Sequence, residues 1–162
     1  MLNYEFIEEC RKGNITAVEA LLLSTSVDPT FNDNMAIRCA SYNGYVEITK
    51  LLLADPRVDP SDPDNLPIRY ASQNGQANVI RLLLADSRVD PSSNNNRAIQ
   101  TASYYGHVDT VKLLLEDSRV DPSANNNQAI QSARQRGHTK VVEILTEHRF
   151  RLDGPEYDKN II

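Results

Sequence analysis

Apolar positions in this chain fall into short blocks separated by polar loops, and the blocks come in two kinds. In the stretch LPIRYASQNG, Ile68, Ala71 and Ser72 lie at i, i+3 and i+4, the spacing of one helix face. Further on, Val79, Ile80, Leu82, Leu83 and Leu84 spread over a wider arc, as on a helix covered from several sides. Gly75 separates the two blocks, where a residue tolerant of left-handed backbone ends a helix. Asn65 stands ahead of the first block as a candidate N-cap, and Pro67 sits in the first turn, where a missing N–H is harmless. Asp90-Pro91 and the Ser/Asn run after it have no periodicity and predict a loop. The local order is helix, turn, helix, loop.

That order recurs at a fixed step. Gly13, Gly44, Gly75, Gly106 and Gly137 are 31 residues apart, and so are the Val-Asp-Pro triplets at Val27, Val58, Val89 and Val120. Asn34, Asn65, Asn96 and Asn127 keep the same step. The units are 4–34, 35–65, 66–96, 97–127 and 128–150, one repeat domain over residues 1–150 with a tail at 151–162. A single helix pair cannot bury its own apolar side, whereas stacked pairs cover one another. The expected fold class is all-α: a helix-turn-helix repeat solenoid with short extended loops or rudimentary hairpins between units. The end units differ, as capping requires: the first opens with Glu5, Glu8 and Glu9, and the fifth carries Arg134, Gln135 and Arg136. After Thr146 the sequence fits no repeat, and Gly154-Pro155 would stop any helix.

The segments MAIRCA, LPIRYA, RAIQTA and QAIQSA are followed by NGY, NGQ, YGH and RGH, and in the middle three units by LLL. In this combination the chain resembles the ankyrin repeats, whose units have a turn, two helices, a period of about 33 residues and a T-P-L-H-x-A signature. The resemblance runs from residue 4 to residue 150. Met35, Leu66, Arg97 and Gln128 replace the signature Thr, and Arg38, Arg69, Gln100 and Gln131 replace the His. The resemblance implies that first helices and loop tips line a concave face where a partner binds. His107 and His138, next after the turn glycine, then belong to the turn.

Composition narrows the chemistry. The 162 residues carry a net charge of −5, which disfavours a broad nucleic-acid footprint. Cys10 and Cys39 are too few for a disulfide framework and read as free thiols in a reducing compartment. MLNYEFIEEC has acids where a secretory signal has its apolar run, and no apolar stretch reaches membrane-spanning length. An intracellular, cytoplasmic location is expected. No glycine-rich phosphate loop, H-E-x-x-H or Cys-x-x-Cys occurs, so no catalytic residue, metal site or cofactor is expected.

In the loops, Arg57, Arg88 and Arg119 sit between Asp55/Asp59, Asp86/Asp90 and Asp117/Asp121. Their presence in successive units predicts a structural ladder of Arg–Asp contacts between adjacent loops, with the asparagines as caps and turns. Positions that vary between units carry the functional expectation. Leu66, Tyr70 and Gln73 lie at i, i+4 and i+7 opposite the packed face; Met35, Cys39 and Tyr42, then Arg97, Thr101 and Tyr104, are their equivalents. The candidate partner-binding residues are Arg38, Cys39, Tyr42, Leu66, Arg69, Tyr70, Gln73, Arg97, Thr101, Tyr104 and Tyr105. Tyr and Arg are enriched at interface hot spots. The expected function is a non-catalytic module, monomeric, that binds another protein through an acidic or aromatic-bearing segment, with no membrane. The alternatives are nucleic-acid contact through Arg134, Arg136, His138, Lys140, Arg149 and Arg151, and a passive scaffold or spacer.

Because contacts in a solenoid are between neighbours, removing residues 66–96 should leave a shorter folded protein with a helical far-UV circular dichroism spectrum. Loss of cooperative melting in that variant would contradict the repeat organisation.

Overall fold

The structure, a computed structural model, describes residues 1–61 and 64–153. Among these residues ten helices form five pairs: α1 (Leu2–Lys12) with α2 (Ile15–Leu22), α3 (Phe31–Asn43) with α4 (Val46–Ala54), α5 (Leu66–Gln73) with α6 (Ala77–Ala85), α7 (Ser93–Tyr105) with α8 (Val108–Leu115), and α9 (Ala124–Gln135) with α10 (Thr139–Asp153). Each first helix packs on the next first helix, and each second helix on the next second helix. No strand occurs among the described residues, so of the two loop forms expected the hairpin is absent. α10 continues past Thr146, where the repeat pattern stops, to Asp153, and so includes the first three residues assigned to the tail; Gly154-Pro155 and the rest of 154–162 lie outside the described residues.

The core follows the repeat. Ile37, Ile68 and Ile99 are buried on the first helices, beside the fully buried Ala40, Ala71, Ala102 and Ala133, whose small side chains let neighbouring helices approach. The middle leucine of each LLL, Leu52, Leu83 and Leu114, is fully buried, each worth about 2 kcal/mol of transfer free energy. The leucines on either side are more exposed and cover the flanks.

Backbone groups in the loops have to find partners, and side chains supply several of them. In the loop after α6, Asp86 accepts from the Arg88 amide (3.0 Å) and, through both carboxylate oxygens, from its guanidinium (2.9 and 2.6 Å). Arg88 then donates to the carbonyls of Val58 (2.7 Å) and Leu53 (3.0 Å) in the preceding unit. Arg57 donates likewise to Val27 O and Arg119 to Val89 O. The expected ladder therefore needs correction: each Arg–Asp pair closes within its own loop, and the contact between loops runs from guanidinium to backbone carbonyl. A carboxylate fixed beside Arg in this way titrates below its usual range, as Asp55, Asp86 and Asp117 do.

The asparagines also differ from expectation. Asn94, Asn95 and Asn96 have φ of 52, 57 and 61°, a complete left-handed turn, and Asn32–Asn34 and Asn125–Asn127 repeat it. Left-handed backbone costs an ordinary residue about 1 kcal/mol or more, and Asn tolerates it best after Gly. Asn65 makes no side-chain cap to its own helix, and Asn96 has the same left-handed backbone. Their Oδ1 atoms instead accept from the amides of Asp90 (2.8 Å) and Asp121 (2.7 Å), 25 residues on, in the next unit. Asn3 holds the Asp28 amide in the same way, and Asn127 Oδ1 accepts from Arg149.

Arg88→Ala removes two such inter-unit bonds at a partly exposed site and should lower stability by about 1 kcal/mol in urea unfolding. Asp86 has a depressed pKa when folded, so its pairing contributes at neutral pH and fades as the pH falls through the carboxylate range. The difference between Arg88→Ala and wild type should shrink in acid accordingly.

Candidate functional site

The right-handed parts of α3, α5, α7 and α9 carry the varying positions on one side of the stack, where they line two adjoining hollows. The larger, about 520 Å³, is lined by Leu66, Arg69, Tyr70, Gln73, Arg97, Thr101, Tyr104 and Tyr105, all expected from sequence, together with Gln100, Gln128 and Ser132, which were not. Gln128 and Ser132 stand one repeat after Arg97 and Thr101, so the 31-residue step itself could have found them. The smaller hollow, about 280 Å³, is lined by Arg38, Cys39, Tyr42 and Tyr70, with Arg11, Met35 and Asn43. Tyr70 belongs to both.

Tyr70 is half-buried and engaged. Tyr42 meets it edge-on with ring centroids 6.1 Å apart, and the Arg38 guanidinium lies 5.5 Å from the ring and donates to its hydroxyl at 3.4 Å. Arg38 also donates to Asp33 O (3.2 Å), five residues back. Gln100 and Gln131 occupy the equivalent positions and make the equivalent bond, to Asn95 O and Asn126 O. Arg69 stands at the same position but departs from the pattern. Its Nε is buried without a partner, as is that of Arg38, but unlike Arg38 its side chain forms no hydrogen bond or ion pair at all among the described residues. Arg97, exposed at the hollow's rim, is likewise unpaired among the described residues.

Tyr104 and Tyr105 are 37 % and 46 % exposed and meet edge to face at 5.0 Å. Tyr105 stacks on His107, and the Arg136 guanidinium lies 4.0 Å over the Tyr104 ring. His107 and His138 do sit in the turn, and they also bridge units: Nε2–H of His107 donates to Gln73 O (2.8 Å) and that of His138 to Tyr104 O (3.0 Å). Since a carbonyl only accepts, the proton is on Nε2. The His107 ring fills the space over Gly75, where φ is +66° and an added Cβ would lie 2.6 Å from it. His138 covers Gly106 in the same manner.

Of the basic residues near the C-terminal end, four have partners the structure shows, and the Arg151 side chain lies outside the described residues. Arg136 is on Tyr104, His138 on the Tyr104 carbonyl, Lys140 pairs with Glu143 (2.9 Å), and Arg149 is bonded to Asn127. His148, on α10, lines a hollow with Lys112, Glu116 and Glu147. Among the described residues no group of three His, Cys, Asp or Glu is placed to hold a metal ion, and no helix is long and apolar enough to cross a membrane. Burial pushes the Cys10 thiol up to about 12, and burial also raises that of Cys39, which lines the smaller hollow.

Charge is segregated between the helices. From Met35 to Asn43, Leu66 to Gln73, Arg97 to Tyr105 and Gln128 to Gln135 the first helices hold Arg38, Arg69, Arg97 and Arg134 and no Asp or Glu, in a chain of net charge −5.

Stacked helix pairs with an open, variable face define a helical repeat solenoid built for recognition. A family model for three tandem ankyrin repeats matches residues 6–95 and again 68–160. The chain therefore belongs to the ankyrin-repeat family, whose repeats are generally protein–protein interaction modules and typically non-enzymatic. Comparison with curated proteins gave no significant match.

A raised pKa and partial burial together suppress thiolate reactivity. A disulfide reagent at neutral pH should modify Cys39 slowly in the folded protein and reach Cys10 only after denaturant is added. Rapid modification of both in the native state would contradict the packing of α1 on α3.

Proposed function

We propose that the first-helix face binds another protein, with the two hollows as the contact surface. The observation that carries this reading is the convergence of all eleven candidate residues on two joined hollows, with Tyr42, Tyr104 and Tyr105 exposed. Exposed tyrosines beside unpaired arginines have the composition of interface hot spots, and the loops, occupied in holding the stack together, do not. The scaffold is ordered before binding, so little entropy is lost on association. We read the chain as a cytoplasmic monomer that acts without cofactor or catalysis; its free thiols fit a reducing compartment. Arg38 is tied to a carbonyl and a tyrosine, so Arg69 and Arg97 are the arginines available to an acidic segment.

A partner captured from the native cell and identified by mass spectrometry provides the test. Tyr104→Ala with Tyr105→Ala should leave the melting temperature near wild type, since both rings are exposed, and should weaken that partner by more than about 2 kcal/mol in titration calorimetry if either is a hot spot. Adding Tyr70→Ala should cost stability as well, because Tyr70 joins α3 to α5 through Tyr42 and Arg38. Glu47→Ala with Lys50→Ala, exposed on α4, should change neither quantity. Unchanged affinity in the tyrosine variants would move the site to the loop tips.

A further inference from the structure

The two hollows differ in chemistry, and the difference specifies a ligand. The smaller one is walled by Met35, Cys39, Tyr42, Asn43 and Tyr70, and its two cations are already engaged, Arg38 with the Asp33 carbonyl and the Tyr70 hydroxyl, Arg11 with Glu8. It suits an apolar side chain. The larger one holds Arg69 and Arg97, both unpaired among the described residues, with amide side chains beside them and no carboxylate on its walls. At three equivalent positions, 38, 100 and 131, the side chain is spent on a loop carbonyl; at Arg69 it is not, so its terminal nitrogens as well as its buried Nε have no partner among the described residues, whereas at Arg38 only the Nε is without one. A partly buried guanidinium whose Nε is shielded from water and has no acceptor carries a desolvation cost that an incoming carboxylate relieves.

We propose that the face reads a two-part linear motif in a partner protein: an apolar side chain seated in the smaller hollow against Met35, Cys39, Tyr42 and Tyr70, and an Asp or Glu carboxylate received by Arg69 and Arg97. This inference rests on the reading of the first-helix face as the protein-binding surface. The spacing follows from the stack. Centres of the hollows are one to two helix spacings apart, roughly 9–18 Å, which an extended chain covers in about three to five residues. Tyr70, shared by both hollows, packs against the segment between the two anchors. The occupant is a carboxylate-bearing peptide because the chain's own acids are absent from these helices and leave the site's charge uncompensated.

A displayed library of random peptides, panned on the wild-type protein and on three folded variants, tests it. The wild-type pool should be enriched in an aliphatic or aromatic residue and an Asp or Glu about three to five positions apart. Panning on Arg69→Ala with Arg97→Ala should abolish the acidic preference and keep the apolar one, and Tyr42→Ala should do the reverse. Arg88→Ala, in the loops, should return the wild-type pool. The most enriched peptide, synthesised with a fluorophore, should bind Arg69→Ala at least about tenfold more weakly by anisotropy. A pool that depends on the face residues but lacks the acidic position or the fixed spacing overturns the motif and leaves the binding face standing. A pool unaffected by these variants, or no enrichment at all, overturns both. Tighter binding, by tenfold or more, of a phosphoserine in place of the acidic residue would overturn the carboxylate assignment in favour of a phosphate.

Discussion

In every loop whose bonds the structure describes, backbone groups are held by side chains of an adjacent unit at a constant sequence offset. Arg57, Arg88 and Arg119 reach the valine carbonyl 30 residues back, and Asn65 and Asn96 hold an Asp amide 25 residues on. A loop wrapped over a neighbour loses its water, and a carbonyl or amide left there unpaired costs about 1–3 kcal/mol. One residue inserted between Val58 and Arg88 would shift the register of the bond between them, and one inserted between Val89 and Arg119 would do the same one unit on. The 31-residue step is the condition under which each loop satisfies its neighbour. The left-handed asparagine turn belongs to the same device, since it turns Oδ1 away from its own helix and toward the next loop.

This division of labour decides which residues remain available. Asp, Arg, Val, Pro and Asn in the loops are consumed by the stack, as are the buried Ile, Ala and Leu of the helices. Position 38 and its equivalents show where the boundary runs. Arg38, Gln100 and Gln131 are used structurally, each donating to a carbonyl five residues back, while Arg69 at the same register is not. A single position therefore serves the scaffold in three units and is open to a ligand in a fourth.

The helices, the repeat and the varying face were legible in the sequence because all three are periodic. Ile68, Ala71 and Ser72 on one side dictate that Leu66, Tyr70 and Gln73 lie on another, and a fixed period stacks those sides. Errors arose where a side chain has two partners of the right chemistry. Arg88 could pair with an aspartate in its own loop or in the next, and only the geometry of the turn selects Asp86. Asn65 precedes a helix, as an N-cap does, yet its left-handed backbone turns the side chain elsewhere. Sequence around Tyr70 did not show that Arg38 and Tyr42 would converge on it from the preceding unit, since that depends on how far one helix is rotated on another. The unpaired state of Arg69 was equally hidden, because Arg38 and Arg69 stand in near-identical local sequence, MAIRCA and LPIRYA.

The charge distribution completes the physical picture of the face. Acidic residues are placed in the loops, where Asp86 and its equivalents are fixed by arginine, and on solvated helix positions such as Glu47 and Asp109. The stacked first helices from Met35 to Gln135 are left with arginine alone among charged residues. An acidic segment approaching at random meets repulsion from most of the surface and attraction along this strip. Such an arrangement favours encounter in one orientation and does so within a Debye length of about 8 Å at physiological salt. The tyrosines then supply contact area at low entropic cost, since each has only two rotatable side-chain angles to lose. If the face binds as proposed, its selectivity comes from what the first helices omit, carboxylates, as much as from the arginines they carry.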